Sequence, residues 1–134
     1  MQARINIITL GTKDLVRATA FYEKGLGFPK MDFTGDVSFF SLEGTWLALY
    51  PWHLLAKDAL VDITASEGFR GFTLAHNVVS ESQVIEIIEK AKHAGALIVK
   101  PPQKTDWGGF AGYFSDLDGY LWEVAYNPFF WPGP

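Results

Sequence analysis

Apolar and polar positions alternate most clearly near the end of the chain. Two apolar runs, residues 110–115 and 121–126, flank a short polar stretch that begins with Asp116 and ends with Gly119. An aspartate that can bond the backbone ahead of it, followed by a glycine that permits a positive φ, is typical of a tight turn. The pattern therefore predicts a β-hairpin with its turn at these four residues.

The return strand of this hairpin carries a carboxylate among apolar neighbours. The period of two places Glu123 on one face with Leu121 and Ala125. The positions on the opposite face are Trp122, Val124 and Tyr126. A buried carboxylate without a partner is costly, so we expect Glu123 to have a partner, a metal or a raised pKa.

Strand and helix signals alternate in the first half of the chain. A strand is predicted at residues 5–10, and Asp14 has the position of a helix N-cap. Apolar residues then recur at helical spacing, and Gly25 and Gly27 are expected to end the helix. The apolar stripe consists of Leu15, Ala18, Phe21 and Tyr22. Three further strands are predicted at residues 30–33, 37–42 and 46–50, before a short helical excursion over residues 52–60 and a connector over residues 61–70.

The second half repeats this scheme. A strand is predicted at residues 72–78, and Ser80 and Gln83 have the spacing of a capping box that starts a helix reaching Ala94. The side chains expected to point inward from this helix are Val84, Ile85, Ile87, Ile88 and Ala91. A strand at residues 98–101 and the hairpin complete the half. The element order predicts an α+β fold of two β-α-β-β-β modules, about residues 1–61 and 70–134, in a single domain.

Two motifs resemble the vicinal oxygen chelate superfamily, which includes glyoxalase I, the bleomycin- and fosfomycin-resistance proteins and the extradiol dioxygenases. One is the hairpin turn with Glu123 in the strand after it, although Leu117 stands where the family usually has proline. The other is the N-terminal pair of segments at residues 7–15 and 20–28. The resemblance implies the glyoxalase/bleomycin resistance fold, in which two curved sheets form an open cup. It says little about activity, because this fold hosts many chemistries.

Metal-dependent members of this superfamily hold their metal with His, Gln and Glu side chains on four strands. The resemblance places these ligand positions at Ile7, Leu47 (or Leu49), Phe72 and Glu123. Hydrocarbon side chains cannot bind a divalent cation, so we expect no metal at this site and no cofactor. The three histidines do not change this expectation, although contact of His53 or His76 with a ligand stays open.

Strand alternation and the resemblance together predict the lining of the cup. The expected lining consists of Ile7, Thr9, Leu47, Leu49, Phe72, Leu74, Tyr113 and Glu123, with His76 at the rim and Trp107 and Phe110 at the mouth, beside a flexible flap at residues 108–109. Tyr113 stands where related resistance proteins place a tyrosine that contacts the ligand. Glu123 and Tyr113 are the polar points of an otherwise apolar and aromatic cavity.

Composition excludes several other classes. The net charge of −4 argues against a nucleic-acid-binding surface, and the absence of cysteine excludes disulfides, thiolate nucleophiles and cysteine-based zinc sites. No apolar run is long enough to span a membrane and no signal segment is apparent, so a cytoplasmic location is expected. Aromatic residues make up 16% of the chain, which fits large core residues, an aromatic-lined ligand cavity, or both.

Two functions are compatible with these features. The first is a metal-free binding protein of the bleomycin-resistance type, which sequesters a partly aromatic small molecule. The second is a glyoxalase-like lyase or isomerase, or a dioxygenase-related enzyme, with Glu123 as general base and Tyr113 as acid or oxyanion donor. A plainer interpretation of Glu123 is a structural hydrogen bond.

The C-terminal tail is apolar and predicts an interface. Exposed Phe129, Phe130 and Trp131 would form a patch of the kind that marks subunit contacts, so a homodimer is expected. The alternative is that the tail folds over its own chain.

Overall fold

Each half of the chain builds its own sheet. The computed structural model describes residues 1–63 and 68–129, and the chain divides into two units, Met1–Glu67 and Gly68–Pro134. The described residues mix seven strands with three α-helices, so the predicted α+β class is confirmed.

The first unit contains a three-stranded sheet. Its strands are β1 (Ile7–Thr12), β2 (Ser38–Phe40) and β3 (Trp46–Pro51), in the order β1-β3-β2. β1 and β3 run parallel, and β2 pairs with β3 in the antiparallel sense. The first helix, α1 (Leu15–Ala20), follows β1 and continues as a π-helical segment, Phe21–Gly25. The second, α2 (Trp52–Asp58), follows β3 directly.

Local signals set the start of α1 as predicted. The Asp14 side chain accepts a hydrogen bond from the Arg17 backbone N–H at 3.0 Å, which satisfies one of the open donors at the helix start. The predicted stripe faces the core, where Ala18, Phe21 and Tyr22 are buried. The hydroxyls of Thr19 and Ser38, 2.7 Å apart, join α1 to β2.

The predicted strand at residues 30–33 is wrong. Lys30 makes a single β-bridge with Phe40, and no ladder continues from it. Residues 31–36 are all exposed, including the apolar Met31 and Phe33, so this stretch does not bury an apolar face in the sheet. Without burial the cost of ordering an extended segment is not recovered.

The second unit has the predicted order β-α-β-β-β. Its elements are β4 (Leu74–Val78), α3 (Glu81–His93), β5 (Leu97–Lys104), β6 (Phe110–Ser115) and β7 (Leu121–Tyr126). The sheet order is β4-β7-β6-β5, with β4 and β7 parallel and the other pairs antiparallel.

The capping box of α3 forms as the sequence predicts. The Ser80 hydroxyl accepts from the Gln83 backbone N–H at 3.3 Å, and the Gln83 side-chain oxygen accepts from the Val79 backbone N–H at 3.0 Å. The buried stripe is narrower than predicted, since Val84, Ile88 and Ala91 are buried whereas Ile85 is 48% exposed. Ile85 lies about 100° around the helix from Val84, outside the contact with the sheet.

The hairpin has the predicted bounds. One Asp116 carboxylate oxygen accepts from the backbone N–H groups of Asp118 and Tyr120, at 2.9 and 2.8 Å. Gly119 has a φ of +83°, the conformation that called for glycine at this position. No helix in the described part of the chain is long and apolar enough to cross a membrane.

Candidate functional site

The site is centred on two side chains that face each other across the hairpin. Glu123 on β7 and Tyr113 on β6 are direct partners in the antiparallel ladder. Directly opposed residues have Cβ atoms about 5 Å apart and project from the same face of the sheet. Both residues are half-buried, so a carboxylate and a phenol stand together on a partly open surface.

The two groups interact electrostatically. Burial raises the pKa of Tyr113 above its usual value, and the charge of Glu123 and a side-chain hydrogen bond with Glu123 raise this pKa further. The phenol therefore keeps its proton at neutral pH and acts as a hydrogen-bond donor. Tyr113 is poorly suited to release a proton, but well suited to hold one in a hydrogen bond.

Small residues surround this pair on the same face. Ala75 on β4 is the register partner of Glu123, and Ala111 and Ala125 pair with each other two residues further along the hairpin. These alanines project a single methyl group each. Ala75 is exposed, whereas Ala111 and Ala125 are 2% and 4% exposed, so the open part of this face lies along the row of Ala75, Glu123 and Tyr113.

α3 packs on the other face of the same sheet. Val84 and Ile88 of α3 and Val124 of β7 are buried there. Because neighbouring residues on a strand point to opposite faces, Val124 and Glu123 lie on different sides of the sheet. Glu123 is therefore on the face without the helix.

Three predicted lining residues do not share the face of Glu123. Leu74 pairs with Trp122, His76 pairs with Val124, and Phe110 pairs with Tyr126, so all three project toward the α3 side. The prediction that strand alternation would bring them together with Glu123 is wrong. The parallel register of β4 and β7 places Ala75 beside Glu123, and a shift of one residue exchanges the two faces of a strand.

His76 instead lines a groove between β4 and α3. The groove has a volume of about 420 Å³, and its polar side chains include Gln83, Glu86 and Lys90. Burial lowers the pKa of His76 below its usual value, although much of the residue remains exposed. His53 on α2 and His93 on α3 are both exposed.

The first unit separates its predicted lining residues in the same way. Ile7 pairs with Trp46, and Thr9 pairs with Ala48, so these residues share one face. Leu47 and Leu49 lie on the opposite face with Ile8 and Leu10, and are 2% and 1% exposed. Ser38, the partner of Leu49, is bonded to α1, so this is the helix-covered face. Leu47 and Leu49 are core residues of the first unit.

Phe72 and Trp107 lie outside the strands. The Phe72 ring is 6.0 Å from that of Tyr120, and the Arg70 guanidinium lies 4.3 Å from the Tyr120 ring centre. The Trp107 ring packs on Gly109, where it occupies the space that any side chain at this position would need.

The loop that carries Trp107 is held by hydrogen bonds. The Gly109 carbonyl accepts from the Thr105 backbone N–H at 3.0 Å, and the Gly109 N–H donates to the Thr105 hydroxyl at 2.9 Å. The Gly108 N–H donates to the Thr105 carbonyl at 3.1 Å. The expected flap is therefore a closed turn.

The donor set does not fit a divalent metal at the position that the resemblance implies. Ile7, Leu47 and Phe72 offer no ligand atom, and Glu123 offers a single carboxylate. Within residues 1–63 and 68–129, no three His, Cys, Asp or Glu side chains converge on one point. A single carboxylate is too few donors for tight binding of such a cation.

Sequence reasoning missed Ala75 and Lys100. Lys100 on β5 is the register partner of Tyr113 and so belongs to the same row as Glu123. The adjacent Pro101 and Pro102 were a signal of an irregular strand, since proline within a sheet is confined to edges and bulges.

The fold and this site define a member of a known superfamily. A family model described as the Glyoxalase/Bleomycin resistance protein/Dioxygenase superfamily matches residues 4–124. The chain belongs to this superfamily. The predicted family and its fold are thereby confirmed.

Two solved structures and one relative found by sequence support this membership. A glyoxalase-related enzyme from Fulvimarina pelagi is 33% identical, with a TM-score of 0.88 over 98% of this chain and 93% of that chain. A glyoxalase/bleomycin resistance protein/dioxygenase from Nocardioides is 25% identical, with a TM-score of 0.78 over 100% of this chain and 90% of that chain. The metallothiol transferase FosB of Lysinibacillus sphaericus strain C3-41 is 25% identical over 119 residues, 89% of this chain and 79% of the relative.

Proposed function

We propose that the protein binds and sequesters a small, partly aromatic molecule on the face that carries Glu123 and Tyr113. The observation that supports this most strongly is that a carboxylate and a phenol, both half-buried, are direct partners in the β6–β7 ladder. A ligand with a cationic group or a hydrogen-bond donor would satisfy the carboxylate, while its flat part would lie against Tyr113 and Ala75. Pockets of this kind combine apolar area with a few polar groups that fix orientation.

Sequestration is favoured over turnover by the chemistry of the pair. Binding needs only an accessible surface and an oriented charge, and the exposed Lys100 and half-buried Glu123 and Tyr113 support such a role. Turnover with Tyr113 as an acid would need a phenol that releases its proton, whereas burial and Glu123 raise the pKa of this group. We propose that the protein acts without the metal that the superfamily commonly uses, because the expected ligand positions offer one carboxylate.

A lyase, isomerase or other enzyme with Glu123 as general base is the second candidate. It is favoured by the relatives, since the Fulvimarina pelagi protein is described as a glyoxalase-related enzyme and FosB as a transferase. In this alternative Glu123 would accept a proton from the substrate. Tyr113 would hold the developing oxyanion as a hydrogen-bond donor, a role that a raised pKa does not impair.

The experiment that tests the proposal is a fragment screen on wild type and on Glu123→Gln. Aromatic amines, aromatic acids and neutral aromatics are compared by ligand-observed NMR, with Glu89→Gln on α3 as the matched control. We expect fragments whose affinity falls tenfold or more in Glu123→Gln and does not change in Glu89→Gln. A hydrogen bond to a charged group contributes about 1.5–3 kcal/mol, which corresponds to such a loss. Hits that bind all three proteins equally would place the site elsewhere. Consumption of a hit by wild type alone would favour the enzyme.

We also propose that the chain forms a homodimer and that its two modules belong to a single domain. The family match spans both units, and Phe129 is 72% exposed, which supports an apolar contact surface. Phe130 and Trp131, which belong to the same predicted surface, lie outside the described residues. A cytoplasmic location stays a prediction.

A further inference from the structure

A third charged side chain lies in the same row as Glu123 and Tyr113. Lys100 on β5 is the register partner of Tyr113, which is the partner of Glu123. Three neighbouring strands thus present an ammonium, a phenol and a carboxylate on one face. Because strands lie about 4.8 Å apart, the backbones of Lys100 and Glu123 are separated by about 10 Å, with Tyr113 between them.

The β5 backbone is irregular at Lys100, and this irregularity decides which residue of β5 lies opposite Tyr113. The β5–β6 register shifts on both sides of Lys100, between Ile98 and Lys100 and again between Lys100 and Gln103. Such bulges occur often beside functional sites, where they re-aim a side chain. The bulge here brings a lysine opposite Tyr113.

The charge of Lys100 is available to a ligand. Lys104, the other lysine of β5, forms an ion pair with Glu81 of α3 on the opposite face. Lys100 is exposed, and no hydrogen bond or ion pair to its ammonium is found within residues 1–63 and 68–129. The two lysines of one strand thus differ, since one is held by the helix and the other stands beside the candidate site.

We propose that the ligands of this site are zwitterions, with a cationic group at one end, an anionic group at the other and a flat body between them. The cation would pair with Glu123 and the anion with Lys100, while the body would lie along Tyr113, which stands between them. This rests on the proposed function and names its ligand class. Opposite charges at the two ends also fix the orientation of the bound molecule.

The test uses three related probes and isothermal titration calorimetry. The zwitterion is 4-(aminomethyl)benzoate, 4-methylbenzylamine lacks its carboxylate, and 4-methylbenzoate lacks its ammonium. We expect wild type to bind the zwitterion about fivefold more tightly than the amine, because an exposed ion pair contributes up to about that factor. The acid should bind most weakly, since only the amine-bearing probes reach Glu123.

Variants separate the two ends of the ligand. Lys100→Met should abolish the advantage of the zwitterion over the amine without changing the affinity of the amine. Lys92→Met, on the exposed side of α3, is the matched control and should change neither. Glu123→Gln should lower the affinity for both the zwitterion and the amine. Circular dichroism checks folding, and Lys100→Gln replaces Lys100→Met if the latter is not folded.

The outcomes distinguish this proposal from the proposed function. Suppose that the amine binds through Glu123 but the zwitterion binds no more tightly than the amine, or that its higher affinity persists in Lys100→Met. The zwitterion proposal is then wrong and the proposed function stands. The same holds if other fragments bind through Glu123 and none of the three probes does. If no fragment depends on Glu123, both proposals fail.

Discussion

Glu123 and His76 lie on opposite faces of one sheet, although their strands are neighbours. The register partner of His76 is Val124, one residue beyond Glu123. Because adjacent residues of a strand point to opposite faces, His76 lies on the face opposite to Glu123. The two titratable side chains therefore occupy different environments, one beside Tyr113 and one in the groove along α3.

We predict that His76 affects stability at acidic pH but not binding at the Glu123 face. Burial lowers its pKa in the folded state, so the unfolded chain takes up a proton first as the pH falls below about 6.5. The stability contributed by neutral His76 is thus present above this pH and is lost below it. Urea unfolding between about pH 5 and pH 8 should show a weaker acid dependence for His76→Gln than for wild type.

The control for His76 is His93→Gln, because His93 is exposed on α3. Binding of any Glu123-dependent fragment should be the same in wild type and His76→Gln. A tenfold loss of binding in His76→Gln would contradict the face assignment.

We predict that Tyr113 ionises later than an ordinary tyrosine. Burial and Glu123 raise its pKa above 10.0, so the unfolded chain loses this proton first and stability falls as the pH rises past that value. Ultraviolet titration of phenolate absorbance, compared between wild type and Tyr113→Phe, should assign the late component to this residue. In Glu123→Gln the pKa of Tyr113 should fall part of the way toward the usual tyrosine value, because the contribution of burial remains. An unchanged titration in Tyr113→Phe would show that another tyrosine is responsible.

We predict that Asp116 is structural. Its buried carboxylate accepts two backbone hydrogen bonds within the hairpin turn. Asp116→Ala should lower the free energy of unfolding by about 1.5–3 kcal/mol, because buried donors lose their acceptor. Chemical denaturation measures this loss, and Asp106→Ala, at an exposed position of the neighbouring loop, should change stability by less than about 0.5 kcal/mol. Equal effects of the two substitutions would mean that the turn does not depend on Asp116.

We predict that the purified protein binds no stoichiometric metal through Glu123. Ile7, Leu47 and Phe72 stand where the resemblance implies metal ligands. Elemental analysis should find no stoichiometric metal. Added zinc, nickel, manganese or iron should not raise the melting temperature of wild type more than that of Glu123→Gln. A stoichiometric metal that is lost in this variant would show that other residues complete a site around Glu123.

We predict that the protein sediments as a dimer at micromolar concentration. The exposed Phe129 supports this, and its N–H bond to the Asn127 side chain, 2.9 Å long, orders the start of the tail. Phe129→Ser should shift the equilibrium toward monomer, with Met31→Ser as a control at a partly exposed position of the first unit. A monomeric wild type would overturn the prediction.

The sequence by itself determined the local features of this protein. The turn from Asp116 to Gly119, the cap at Asp14 and the capping box at Ser80 each depend on groups within four residues of one another. Neighbouring residues can form such hydrogen bonds whatever the distant chain does, so short motifs predict them well. The hairpin turn before Glu123, together with the N-terminal segments at residues 7–15 and 20–28, also indicated the superfamily.

Only the tertiary structure decided which residues share a face within each of the two sheets. The register of β4 against β7, and of β1 against β3, joins segments that lie far apart in the chain. Side chains alternate with a period of two, so an error of one residue in either register exchanges the core face for the open face. That is why the alternation pattern alone grouped His76 with Glu123 in the second unit, and Leu47 and Leu49 with Ile7 in the first. The bulge that aligns Lys100 with Tyr113 depends in the same way on how β5 packs against β6.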